Sequence, residues 1–185
     1  VRRWQKLFGL QHNAEIGEML SNPNDSQLIK DICLGNLSED QIWEVVAEKW
    51  AIKPQMVQRF RRRLFSKRNL NKKMIQFMAE VQADYQTAIL SNAGDQTRQV
   101  IEDVYHLDRY LDGIIISAEE GVVKPDLRIY QIAMDRLDAN PETSLFVDDT
   151  LENVLAAREY GMQAVQFLNN PQAFQAMRSC LEKED

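Results

Sequence analysis

Histidine and cysteine are scarce in this 185-residue chain, with two of each. Cys33 and Cys180 lie far apart, form no C-x-x-C and have no histidine nearby, which excludes a zinc site or a disulfide framework and fits a reducing cytoplasm. His12 and His106 have no triad or metal-ligand context and are expected at the surface or the core edge. Seven glycines and five prolines are too few for a fibrous or low-complexity chain. No apolar run approaches the roughly 20 residues of a membrane span, and no basic, apolar, small-residue leader opens the chain, so a cytoplasmic protein with no membrane partner is expected. Positive charge is not in surplus either. Lys and Arg number 22 against 28 Asp and Glu, for a net charge of -6, which argues against nucleic acid as a partner because phosphate backbones are held mainly by basic side chains.

What is present suits a globular protein: 44% hydrophobic and 27% charged residues support a well-buried core. The basic residues do cluster once. Lys53, Arg59, Arg61, Arg62, Arg63, Lys67, Arg68, Lys72 and Lys73 share a stretch without an acid. This reads as a solvated helix face and connector, with a patch for an anionic substrate or partner as the alternative.

Up to about residue 80 apolar residues recur at helical spacing, predicting helices near 13–21, 25–34, 38–51 and 54–66. Ser38 and Gln41 form an S-x-x-Q capping box at the third of these. Trp43, Trp50 and Phe60 are expected to pack between them. From about residue 85 the pattern changes. Short β-branched and apolar runs at 87–90, 114–116, 145–147 and 164–167 alternate with amphipathic stretches near 95–107, 127–137, 151–160 and 171–182. Strands separated by helices read as successive βαβ units, hence a parallel sheet covered on both faces. Ligands of such sheets bind beyond the carboxyl ends of the strands, which singles out the residues there.

The first run ends in Leu90-Ser91-Asn92-Ala93-Gly94, a hydroxyl, an amide and flexible backbone leading into a helix. It is either a cradle for an anion or a helix cap. After the second comes Gly121-Val122-Val123-Lys124-Pro125-Asp126. Proline keeps Lys124 extended while Asp126 caps the next helix, so the ammonium either faces a phosphate or is a surface charge. The third ends in Phe146-Val147-Asp148-Asp149-Thr150, with Asn153 following. Adjacent carboxylates repel and lose solvation, costs a hard divalent cation offsets; helix capping is the plainer alternative.

Ser91, the G-x-x-K-P-D loop and the Asp148-Asp149 pair, in this order, resemble three sequence motifs of the haloacid-dehalogenase superfamily. The wider wording is similar to its sugar-phosphatase and epoxide-hydrolase-phosphatase-like branch. The resemblance implies a Rossmann-like α/β core over 69–185 and an N-terminal helical cap over 1–68, in which Gly35-Asn36-Leu37-Ser38-Glu39-Asp40 matches the cap's turn and helix start. It further implies a Mg²⁺-dependent phosphatase acting on a small phosphorylated metabolite. Ser91 and Asn92 would bind the transferring phosphoryl group, Lys124 would neutralise it, Asp149 would bind Mg²⁺, and Asp148 would be a second ligand or outer partner. A metal-independent dehalogenase is disfavoured by the Asp pair, which those enzymes generally replace. A non-catalytic phosphate-binding or protein-interaction relative is the other alternative.

One family motif is missing. No D-x-D, whose first Asp attacks phosphorus in the family, occurs in the chain. Asp25, Asp31, Asp40 and Asp84 stand in helical or pre-strand contexts. In the family that motif ends a central strand between those carrying Ser91 and Asp149, so two facing rows of backbone groups are expected to lack partners. The expectation is that an upstream segment carries this strand and that the 185 residues alone are inactive; oligomeric state is left open.

Overall fold

The computed structural model describes residues 27–49, 51–67 and 70–181. Their order begins with four helices, α1 (Gln27–Cys33), α2 (Glu39–Lys49), α3 (Pro54–Leu64) and α4 (Lys72–Val81). Strand β1 (Ala88–Ser91) then leads through α5 (Thr97–Gln99) and a π-helical turn, Val100–Tyr105, to β2 (Gly113–Ile116). A short α6 (Ser117–Glu120) and α7 (Leu127–Leu137) precede β3 (Leu145–Asp148), and α8 (Leu151–Tyr160), β4 (Gln163–Gln166) and α9 (Asn170–Leu181) complete the order. The predicted helix near 13–21 lies outside the described residues.

The four strands form two parallel pairs rather than one sheet. β1 pairs with β2 from Ala88 against Gly113 to Ser91 against Ile116, and β3 pairs with β4 from Leu145 against Gln163 to Asp148 against Gln166. Among the described residues no strand joins β1 to β3. Side chains still alternate as one layer would require. Leu90, Ile115, Phe146 and Ala164 share one core with α7 and α8, whose Ile129, Tyr130, Val154 and Ala157 are fully buried. Residues of opposite parity face the other way: Leu145 and Val147 meet α4 and α9, and Ile89, Ile114 and Ile116 meet the 97–111 connection. Each large apolar side chain so buried contributes about 1.5–3 kcal/mol. The α7–α8 face spans both half-sheets and holds them in register across the gap.

Local chemistry starts and stops these elements as their residue types require. Ser38 and Gln41 form the expected capping box: the Ser38 N–H donates to Gln41 Oε1 at 2.9 Å and the Gln41 N–H to Ser38 Oγ at 3.2 Å. Asp126 accepts from the Arg128 N–H and starts α7, and Gly161 at φ 107° ends α8. The stretch predicted as one helix at 95–107 is broken instead. The π-helical turn follows only one turn of α-helix and closes on His106 at φ 55°, whose exposed ring Nδ1 lies 3.0 Å from the Glu102 carbonyl oxygen. Helix α4 was not expected as a separate element. Its apolar residues Met74, Phe77 and Val81 face α9, with Phe77 stacked on Phe174 at 5.1 Å.

The N-terminal helices rest on the strand-end loops. Gly35, at φ 73°, brings its backbone so close to α6 that a Cβ there would sit 2.3 Å from the Ala118 carbonyl oxygen. Glu39 is buried, its N–H donating to Asp95 Oδ1 at 2.9 Å. Arg61 of the basic stretch pairs with Asp40 at 2.7 Å and donates to Gln96, while Lys53, Arg59, Arg62, Lys67, Lys72 and Lys73 are exposed. Trp43 is half-buried; Trp50 and the side chain of Phe60 lie outside the described residues. Cys33 is buried and Cys180 half-buried, and both are free thiols.

Candidate functional site

Ser91 and Asp148 are the last residues of β1 and β3, and the loops that follow carry Asn92 and Asp149. Lys124 enters from the loop between α6 and α7 and joins the two half-sheets. Its side chain is 8% exposed, and its Nζ donates to the Leu90 carbonyl at 2.9 Å and to Asp148 Oδ2 at 2.6 Å. The ammonium also stands over the Phe146 ring, 5.3 Å from its centroid.

The lysine is held from behind by an amide clamp. Asn92 Nδ2 donates to the Lys124 carbonyl at 2.9 Å, and the Lys124 N–H donates to Asn92 Oδ1 at 2.8 Å. Both polar atoms of the Asn92 side chain are therefore committed to the backbone at Lys124, a peptide bonded in cis to Pro125. Ser117, fully buried at the end of β2, adds a second tie: its hydroxyl accepts from the Ala93 N–H at 3.0 Å and lies 3.3 Å from the Ala93 carbonyl. Sequence reasoning did not single out Ser117. Its place immediately after an apolar strand was the available signal.

The two aspartates stand in different surroundings. Asp148 Oδ1 accepts from the Thr150 N–H at 2.8 Å and from Asn153 Nδ2 at 3.1 Å, while Oδ2 takes the Lys124 ammonium. Burial works to raise its carboxyl pKa, but Lys124 and these donors outweigh burial and hold it below the ordinary range. Tyr130 steadies the same corner, its hydroxyl donating to the Asn153 carbonyl at 2.8 Å. Asp149 is exposed, and its carbonyl accepts from Gln166.

The chemistry of this donor set fits a hard divalent cation to a defined extent. Among the described residues no three His, Cys, Asp or Glu side chains group to hold a metal by themselves. Mg²⁺, however, usually keeps several waters and takes only one or two carboxylates with a substrate phosphate. The exposed Asp149 carboxylate has room for that role. Asp148 is largely occupied by its three donors, which suits an outer partner better than a direct ligand. All five sequence-predicted residues, Ser91, Asn92, Lys124, Asp148 and Asp149, converge on one rim. Ser91, Lys124, Asp148 and Asp149 line a cavity of about 1010 Å³ that runs down between β1 and β3.

The family model described as haloacid dehalogenase-like hydrolase matches residues 11–167. An (S)-2-haloacid dehalogenase of Burkholderia cepacia is 38% identical over 84 residues, 45% of this chain and 36% of that protein. A sesquiterpene phosphatase of Aspergillus oryzae is 37% identical over 84 residues, 45% of this chain and 39% of that protein. The chain thus covers well under half the length of either relative. Among solved structures, a HAD family enzyme of Bacteroides thetaiotaomicron in complex with magnesium and inorganic phosphate superposes with a TM-score of 0.75 at 14% identity, over 94% of this chain and 90% of that one. At that identity the likeness is one of fold.

Proposed function

The chain belongs to the haloacid dehalogenase-like hydrolases, and on that premise we propose that it carries the phosphate- and Mg²⁺-binding part of a phosphatase for a small phosphorylated metabolite. The observation that carries this reading is the Lys124–Asp148 pair at 2.6 Å beside the exposed Asp149. A buried cation with a fixed counter-ion, next to a carboxylate free to take a metal, suits charge that builds up on a transferring phosphoryl group.

In this reading the Ser91 hydroxyl and the backbone N–H groups after it bind phosphoryl oxygens. Asn92 acts through its clamp, fixing the loop from which Lys124 reaches the rim. Lys124 neutralises the phosphoryl charge, Asp148 orients Lys124, and Asp149 holds the metal. Mg²⁺, when bound, would supply further neutralisation of the phosphate oxygens. The helices over 27–64, docked on the loops after β1 and β2, serve as a cap that shields the rim from water. The nucleophilic carboxylate of the family's D-x-D motif does not occur in these residues, so the 185-residue chain is expected to bind phosphate and Mg²⁺ without turnover.

A dehalogenase is the second reading, favoured by the 38% identity to the Burkholderia cepacia enzyme. The Asp148–Asp149 pair speaks against it, because cleavage of a carbon–halogen bond by this family needs no metal. Isothermal titration of the chain with inorganic phosphate, with and without Mg²⁺, separates the two. Phosphate binding that strengthens with Mg²⁺ and loses that enhancement in Asp149→Ala supports the phosphatase reading. Binding indifferent to Mg²⁺, or halide release from a 2-haloacid without it, would overturn it.

A further inference from the structure

The loop after β1 serves two surfaces. It opens with Ser91 and the backbone N–H groups on which the proposed phosphoryl site rests, and at 94–96 it becomes the seat of the N-terminal helices. Gly94 is buried beneath α1 and α2, where a Cβ would lie 2.6 Å from Ile32 Cγ2 and from Glu39 Cγ and Oε1. The Glu39 N–H donates to Asp95 Oδ1 at 2.9 Å, and the Gln96 N–H bonds the Glu39 carboxyl. Arg61 closes the ring from α3 through Asp40 and the Gln96 side chain. Consecutive loop residues are therefore held by Glu39 and its neighbours.

The inner part of the loop is tied to the core, Asn92 to the Lys124 backbone and Ala93 to Ser117. Glu39 supplies the outer tie. From Ser91 to Gly94 the chain spans at most about 11 Å, so slack at the outer tie reaches the groups that face the rim. This tie carries an acid where a seat between helix and loop would ordinarily be apolar. Glu39 is 8% exposed, and glutamate is rarely so buried without a cation of its own. Around it stand Asp95 from the β1 loop, Asp40 on its own helix, Arg61 from α3 and the Cys33 thiol at the end of α1, itself pushed up to about 11 by burial and by Glu39. Arg61 is engaged by Asp40 and Gln96, so burial and Asp95 prevail and displace the Glu39 carboxyl toward its protonated form. The neutral acid fits the contact with Gly94 and Ile32, whereas the carboxylate is repelled by Asp95 and drawn toward water.

We propose that Glu39 is a positioning residue for the phosphoryl-binding loop: with its carboxyl neutral, α2 presses on 94–96 and fixes Ser91 and the N–H groups beyond it, so that oxyanion binding at the rim is coupled to one proton held at the helix seat. This role rests on the phosphoryl-site reading of Ser91. The seat's contribution is full below the unfolded glutamate value of about 4.3 and is lost as pH rises through the higher folded value. Coupling is reciprocal, so an oxyanion that binds the ordered loop raises the proton affinity of Glu39 by the same factor by which the proton raises that of the oxyanion. A cap that merely covers the rim has no such proton.

The test is a calorimetric titration of the full chain with sulfate, a dianion throughout the range from about pH 4.5 to about pH 7 over which a raised glutamate titrates. Buffers of different ionisation enthalpy count the protons taken up. Affinity is expected to fall at least about fivefold across this range, with proton uptake on binding at its midpoint. Glu39→Gln, a neutral isostere, is expected to keep the low-pH affinity at every pH and to lose that uptake. Asp95→Asn removes the repelling charge but keeps an acceptor for the Glu39 N–H, and is expected to move the fall to lower pH; it carries the test alone if Glu39→Gln does not fold. The inference is overturned if Glu39→Gln follows the wild-type profile, or if it binds more weakly at every pH with the shape of the profile retained, which is a structural role alone. It is also overturned if Asp95→Asn leaves the fall where it was. Sulfate that binds without pH dependence overturns this role and leaves the phosphoryl site standing, whereas no sulfate binding at any pH overturns the phosphoryl-site reading and this role with it.

Discussion

The N-terminal helices and the α/β layers each bury a carboxylate, and they do so with opposite company. Asp148 in the α/β region faces an ammonium and two further donors, and its pKa lies below the ordinary range because these outweigh its burial. Glu39, at the start of α2, is raised by burial and by the nearby Asp95, against the partial relief of Arg61 and a Gln96 N–H. The first group is fixed ionised by its partners; the second is poised toward protonation. Charge therefore anchors the α/β rim, whereas the helices are seated on it mainly by shape, through Gly35 and the buried face of α2.

The largest effect expected from this contrast is at the rim. Asp148→Asn leaves the buried Lys124 without its counter-ion and is expected to cost about 3–5 kcal/mol in urea unfolding, with Lys124 losing its fixed position. A substitution of similar size at Glu39, Glu39→Gln, is expected to leave global stability within about 1 kcal/mol. Equal losses in the two variants would break the comparison.

Next in size is the seat of the helices. Gly35→Ala places a methyl group against the Ala118 carbonyl, on a residue whose φ of 73° already favours glycine. The expected cost is about 1–3 kcal/mol, appearing as faster hydrogen exchange over 27–49 with little change over 145–166. Ser38→Ala removes one half of the capping box and should cost about 1 kcal/mol, confined to α2.

Acid titration sharpens the comparison most finely, because the pKa values of the two carboxyl groups are displaced in opposite directions. The folded-state pKa of Asp148 is depressed, so its contribution is present above the unfolded value of about 3.9 and is lost as pH falls below it. The folded-state pKa of Glu39 is raised, so the folded state holds its proton more tightly, and seating of the helices weakens as pH rises above the unfolded value of about 4.3. Residue-resolved exchange on lowering pH through this range should show protection rising near α2 before it falls near β3. Asp148→Asn and Glu39→Gln should each abolish one of the two trends.

Much of the rim was legible in the sequence because its chemistry sits where strands end, and strand ends are marked by a change from apolar to polar residues. Ser91, Lys124, Asp148 and Asp149 could be named from that rule and the family resemblance together. The capping box and Asp126 were legible because both are settled within four residues of sequence. What escaped depends on distant partners. Asn92 is 32 residues from the Lys124 backbone that takes up both ends of its amide, and no local pattern encodes that clamp. Helix α4 begins inside the basic stretch, at Lys72, and its apolar face is explained only by β3 and α9, more than 60 residues later. The break at Val100–Tyr105 likewise appears only when Ile101 and Leu107 pack on Ile116. The apolar lining of the cavity, with Phe77 and Met177 on one side and Met134 and Phe146 on the other, is also assembled from distant elements.

Lys124 draws these threads to a mechanical point. One ammonium is at once the brace between two half-sheets and the positive charge at their mouth. An anion that pulls it outward must take it from the Leu90 carbonyl or from Asp148, loosening the brace as it binds. Such an anion competes with the Leu90 carbonyl and Asp148 for the three protons of a single ammonium.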